Sequence, residues 1–167
     1  MSLLNILQFP DPRLKNMADP VEHFDQALDT LISDMLETMY EAYGAGLAAI
    51  QVNVKKRIIV IDVSRNMDQP MHLINPTIVA ARDTQIFEEG CLSFPGVWSK
   101  VKRAKEIEVT YYDKYGKLHE LTATGLLCNA IQHEIDHLDG ITFYDHLSPL
   151  KQQLLRKKLE KIRKRAL

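Results

Sequence analysis

His133 and His137 stand four residues apart in the stretch "QHEIDHLDG" (132–140), and Glu134 directly follows the first of them. In a helix successive side chains turn by about 100°, so residues four apart lie within roughly 40° of each other on one face. Both imidazoles can then reach one ion. Glu134 lies about 100° round from His133, next to a metal rather than on it. A carboxylate there suits the removal of a proton from water that the metal has made acidic. The chemistry indicated is metal-assisted hydrolysis, and it needs a third ligand.

The two familiar zinc-protease extensions of such a pair are absent. One would place a histidine at position 143, where this chain has Phe143. The other needs a downstream glutamate on a further helix, and Glu160 alone follows His137, inside a basic segment. The third ligand is therefore expected upstream. Cys128, five residues before His133, falls about 140° away around the same helix and is better explained as a small buried residue. Cys91 lies in "EEGCLSFPG", where the nearby glycine and the Pro-Gly pair exclude regular helix. Its thiolate would complete a Cys-His-His set with a fourth position open to water, the arrangement of a catalytic rather than a structural site. His72, His119 and His146 compete; His119 is expected to face solvent and His146 to lie in a loop.

The elements that must hold these residues are legible in outline. From Val21 to Tyr43 apolar residues recur at three- and four-residue steps, which predicts an amphipathic helix, with Gly44 taking the left-handed conformation that ends it. "RIIVIDV" (57–63) and "MHLINPTIVA" (71–80, interrupted at Pro76) read as strands, and "EIEVTYYD" and "KLHELTAT" flank a turn at "KYG". Helices are predicted from Gly125 to Leu138 and from about Pro149 onward. The expected class is α+β, antiparallel β-sheets packed around a central helix that bears the two histidines, with helices at either end. One catalytic domain over 1–150 and an appended basic helix over 151–167 are expected. No apolar run approaches the ~20 residues of a membrane span. The start, "MSLLNILQFPDPRL", lacks the pattern of a secretory signal, and the two cysteines form no disulfide framework. A cytoplasmic monomer is expected.

Three stretches, "GAGLAAIQ" (44–51), "EGCLS" (89–93) and "QHEIDHLDG", resemble in order and spacing the signature motifs of the peptide deformylases. The "ILQFPDPRL" start is also similar, so the resemblance covers nearly the whole chain. It implies hydrolysis of the N-formyl group from the initiator methionine of nascent peptides, with release of formate. It implies Cys91, His133 and His137 as metal ligands and Glu134 as general acid/base. Gln51, through its side-chain amide, and Leu92, through its backbone N–H, would form the oxyanion hole. The resemblance further implies Fe²⁺ as the physiological metal, with Ni²⁺ or Co²⁺ as working substitutes. The ligand types alone suggest Zn²⁺, although several first-row ions suit a thiolate-imidazole set. Ala45, Phe87, Leu126, Asn129 and Ala130 match the family's methionine pocket, with Glu89 also in the substrate-binding set. Gly46 and Gly90 would offer backbone groups to an extended substrate. Ala45 and Trp98 depart from common members, which have a larger aliphatic residue and an arginine there.

From residue 151 onward eight basic residues stand against Glu160 alone, while the remaining 150 residues are net acidic. Leu154, Leu155, Leu159 and Ile162 form an apolar stripe. Such a cationic helix points to a polyanionic partner, and the resemblance implies the ribosome rather than a membrane surface. Two other functions compete: a general metallopeptidase, and a ribosome- or nucleic-acid-binding module whose metal is structural.

Overall fold

The structure is a computed structural model, and it describes residues 2–166. Five strands form one antiparallel sheet in chain order: β1 (Gly46–Ala48), β2 (Ile58–Ile61), β3 (Met71–Glu89), β4 (Ser99–Tyr112) and β5 (Leu118–Thr124). Three helices accompany it, α1 (Gln26–Glu41), α2 (Gly125–Leu138) and α3 (Pro149–Ala166). The α+β expectation is met.

β2 explains how the layers are arranged. Ile58 and Val60 pack with Leu28, Ile32, Met35 and Met39 of α1, whereas Ile59 and Ile61 pack with Cys128, Ile131, Ile135 and Leu138 of α2. Successive strand residues point to opposite faces, so an unbroken apolar run is what a strand between two helices requires. The α2 residues that meet the sheet recur at three- and four-residue steps, which turns Asn129, His133 and His137 to another face.

α1 is shorter than the periodicity predicts. Asp25 caps it by accepting from the Leu28 N–H at 3.0 Å. Val21 is held instead by Asn75, whose side chain bonds both its N–H and its carbonyl. At the other end the left-handed residue is Tyr43 (φ 58°), not Gly44, and the Gly44 N–H returns to the Met39 carbonyl at 2.9 Å. A tyrosine in that conformation costs roughly 1–2 kcal/mol that a glycine would not. Gly44 lies against Leu92 instead: a Cβ on it would come 2.6 Å from Leu92 Cδ1, so that side chain would have to shift.

β3 continues nine residues beyond the predicted strand. Pro76 is accommodated because it sits in a register shift against β4 between Ile74 and Thr77, where no ladder hydrogen bond is demanded of it. This long strand carries the chain to Glu89 and the turn that holds Cys91. α3 docks through Leu155 and Leu159 onto Phe94, Val101, Phe143 and Tyr144. Leu154, expected in that stripe, is instead 56% exposed, because the docking face is narrow and Leu154 lies beside it. Among the described residues no helix is long and apolar enough to cross a membrane.

Candidate metal centre

α2 and the turn after β3 bring together the residues that their spacing suggested. The ligand atoms of Cys91, His133 and His137 all lie within 4.8 Å of one another, with Cys91 Sγ 3.4 Å from His137 Nε2. Both histidines are buried, and Cys91 is partly so. His133 Nδ1 is engaged by Glu89 Oε1 at 2.7 Å, which leaves Nε2 for an ion. Glu134 Oε1 and His137 Nδ1 are buried without a hydrogen-bond partner among the described residues. His137 turns its Nε2 toward Cys91, so its orphaned Nδ1 faces away from the cluster. The orphaned Glu134 oxygen beside a thiol and two imidazoles is what a metal site with an adjacent base would show, since buried polar atoms are rarely left so. The residues fit a divalent ion.

The electrostatics separate two carboxylates. Burial would raise Glu89, but hydrogen bonds from His133 and Arg103 outweigh it and hold the carboxyl at about 2. Glu134 has no such donors, and burial pushes it up to about 7. One carboxylate is held as an anion against His133, and the other lies close to neutrality, a division that suits two carboxyls to different roles. Between the imidazoles, burial and the neighbouring His133 drive His137 well below its ordinary value. His133 moves the other way, since the pull of Glu134, Cys91 and Glu89 exceeds the effect of its burial.

Gln51 closes the same cluster from the short helical turn after β1. Its Oε1 accepts from the Ala48 N–H at 2.9 Å, so its Nε2 faces Ser93 Oγ (3.0 Å) and Cys91 Sγ (3.5 Å). Gly46 of β1 passes so near Glu134 that an added Cβ would lie 3.0 Å from the carboxyl carbon and closer still to Oε2. Gly46→Ala is therefore expected to displace the carboxylate and cut turnover by about 100-fold, with metal content unchanged. Parallel steady-state kinetics and metal analysis check this.

A cavity of about 530 Å³ opens onto the centre. Ala45, Gly46, Gln51, Glu89, Gly90, Cys91, Leu92, Leu126, Asn129, Ala130, His133 and Glu134, all singled out in the sequence, line it. Phe87 does not. It lies two positions before Glu89 on the same strand face, about 6–7 Å further from the centre. Glu89 reaches the wall, with its oxygens engaged by Arg103, His133 and Asn129. Cys128 is fully buried against the sheet, as expected. His72, His119 and His146 lie outside the cluster. His119 is only partly exposed, bonded to Asp113 and stacked on Tyr111, and His146 ends a short helical turn and bonds Asp136.

Sequence reasoning missed Ser93 and Arg103. The Arg103 guanidinium is 4% exposed and bonds Glu89 through Nε and Nη2, and Asp136 through Nη1. In "KVKRAK" nothing distinguishes it from three lysines except strand parity, which sets it on the inward face with Val101 and Ile107.

The sequence profile of polypeptide deformylases matches residues 3–153. The chain belongs to the polypeptide deformylase family. Peptide deformylase 2 of Xanthomonas campestris pv. campestris is 54% identical over 98% of both chains, and the peptide deformylase of Xylella fastidiosa strain 9a5c is 54% identical over 99% of both. The crystal structure of a peptide deformylase from Legionella pneumophila superposes with a TM-score of 0.94 at 47% identity, covering 98% of this chain and 96% of that one. That of Ehrlichia chaffeensis peptide deformylase in complex with actinonin gives 0.91 at 40% identity, covering 96% and 98%. The deformylase resemblance of the three short stretches thus extends through the whole fold.

Proposed function

We infer that this chain removes the formyl group from the N-terminal methionine of newly made polypeptides, taking up water and releasing formate. The observation that carries this is the cluster of Cys91, His133 and His137 with the buried Glu134 carboxyl beside it, whose Oε1 has no hydrogen-bond partner among the described residues. Cys91, His133 and His137 would hold a divalent ion, Fe²⁺ by preference and Zn²⁺, Ni²⁺ or Co²⁺ as substitutes, which would supply Lewis acidity for the formyl carbonyl and the attacking water.

The protein's own groups do the rest. Glu134 takes the proton from the attacking water and returns it to the departing amine, which would otherwise be a poor leaving group. Gln51 Nε2 and the Leu92 N–H donate to the oxyanion that forms on the formyl carbon, and loss of one such donor typically costs about 3–4 kcal/mol of barrier. Gln51 is suited to this because an amide donates at any working pH and because Ala48 fixes its orientation. The methionine side chain enters between Asn129, Ala130 and Leu126, while backbone groups at Gly46 and Gly90 hold the extended peptide. The test is formate release from a formyl-Met peptide, run anaerobically with Fe²⁺ or with Ni²⁺, beside an acetylated control. Release confined to the formyl peptide supports this function, and none from folded, metal-loaded protein overturns it.

The basic helix is assigned to the ribosome, and the enzyme to the cytoplasm as a monomer. Lys151, Lys157, Lys158, Lys161, Lys164 and Arg165 are exposed on α3 while Leu155 and Leu159 anchor it. Deleting the helix would uncover Phe94 and Phe143, so charge replacement is the cleaner perturbation. Changing Lys157, Lys158, Lys161 and Lys164 to glutamine is expected to weaken ribosome binding at low salt and flatten its salt dependence, with small-peptide turnover unchanged. Sedimentation with ribosomes across a salt series measures both, and an unchanged affinity removes the assignment.

A further inference from the structure

The mouth of the cavity carries more exposed aromatic surface than formylmethionine can use. Tyr43 and Trp98 line it, from the end of α1 and from the turn before β4, and they are 93% and 61% exposed. Exposed apolar groups scattered singly need no explanation, but two aromatic side chains on one cavity rim, beside the Leu126, Asn129 and Ala130 wall assigned to methionine, mark a contact surface.

Two details of the backbone say that the aromatic groups are placed rather than left over. Tyr43 occupies the left-handed position at the end of α1, where a glycine would be unstrained, yet its ring packs on almost nothing. The fold gains neither conformational ease nor buried area from a tyrosine there. Strain retained at the edge of a reaction site is an indication of function. Trp98 lies against the backbone of Gly90, where a Cβ would come within 2.7 Å of its Cδ1, so the indole is braced beside the Cys91 turn while its other surface stays open. Among the described residues no lysine or arginine lines the cavity; its acidic residues are Glu88, Glu89 and Glu134.

We propose that Tyr43 and Trp98 form an aromatic clamp for the one or two residues that follow formylmethionine, selecting substrates with aromatic side chains at those positions. This rests on the deformylase function above and adds a preference to it. Rigid aromatic groups give large contact area at small entropic cost and stack on other rings in offset or edge-on geometry. An alanine in the substrate leaves the clamp empty. Binding energy from a part of the substrate that does not react then appears in kcat/KM.

The experiment compares formate release from formyl-Met-Phe-Phe, formyl-Met-Ala-Ala and formyl-Met-Arg-Arg by the native protein and by Tyr43→Gly, Trp98→Ala and Trp98→Tyr variants, with thermal melting of each. The native protein is expected to prefer the Phe peptide over the Ala peptide by about tenfold or more in kcat/KM. Trp98→Ala and Tyr43→Gly are each expected to bring that ratio down at least threefold, through loss of kcat/KM on the Phe peptide. Trp98→Tyr keeps most of the preference. Tyr43→Gly, which relieves the left-handed residue, is expected to melt at a higher temperature even as selectivity falls, an outcome that a merely structural tyrosine cannot give. Equal rates on all three peptides, a preference for the Arg peptide, or ratios unchanged in the variants would overturn the clamp. Failure of the native protein on every formyl peptide would instead remove the deformylase function itself.

Discussion

Glu134→Gln is expected to lower kcat by about 1,000-fold with little change in KM and none in bound metal. The side chain is beside the ligand set but outside it, so the ion stays when the carboxylate goes. Glutamine nearly preserves shape and can fill the same space behind Gly46. What it removes is a proton acceptor that burial has pushed up to about 7. As a base Glu134 must be ionised, so native activity should rise with pH through its pKa, and a cation bound beside it places that rise below 7. The variant's residual activity should lack this acid limb. Stripping the metal exposes the same group as a stability effect. Its folded pKa lies above the unfolded value of 4.5, so the native state holds the extra proton between 4.5 and about 7. Stability of the stripped native protein should then fall, relative to stripped Glu134→Gln, as pH rises across that window. Paired pH-rate profiles and pH-dependent melting of the two proteins measure both effects, and identical profiles would remove Glu134 from the base role.

The parts of the site readable from sequence were those set by local geometry. His133, Glu134 and His137 lie within one and a half turns of one helix, whose period alone fixes their relation. Cys91 followed because irregular chain near two glycines and a proline could approach that helix. The supports of the site were not readable, because they depend on which strands pair and in what register. Arg103 meets Glu89 only because β3 and β4 form a long hairpin, and both meet His133 only because α2 packs beside its end. Leu154 differs from expectation for a related reason, since a periodic apolar pattern names a face but not how much of it is covered. The end of α1 shows general propensity overruled: Gly44 has the residue type of a left-handed position, yet it packs closely against Leu92 and Tyr43 takes the strained turn.

Those unreadable supports carry the second large effect. Arg103→Met is expected to destabilise the protein by about 3–5 kcal/mol and to weaken metal binding by about 10–100-fold. The arginine makes two hydrogen bonds to Glu89, at 2.5 and 3.0 Å, and one to Asp136 at 2.8 Å, and both it and Glu89 are 4% exposed. Removing one member of a buried pair leaves the other charged and without its partner, which costs more than the pair contributes when intact. Glu89 would then take up a proton at higher pH and lose its grip on His133 Nδ1, so the ligand would no longer be held with Nε2 toward Cys91 and His137. The pH dependence gives a separate signature. Glu89 is held at about 2 against an unfolded 4.5, so its contribution, about 3 kcal/mol, is complete above 4.5 and lost as pH falls toward 2. In Arg103→Met part of that acid sensitivity should vanish, because the stabilisation is already gone. A Glu89→Gln partner change distinguishes charge from packing. The double variant, with neither buried charge, should recover stability relative to Arg103→Met while metal affinity stays low. Denaturant titrations of the four proteins, with competition against a chelator for the metal, make that comparison. If the double variant is no more stable than Arg103→Met, the cost comes from lost packing around the guanidinium rather than from a stranded carboxylate.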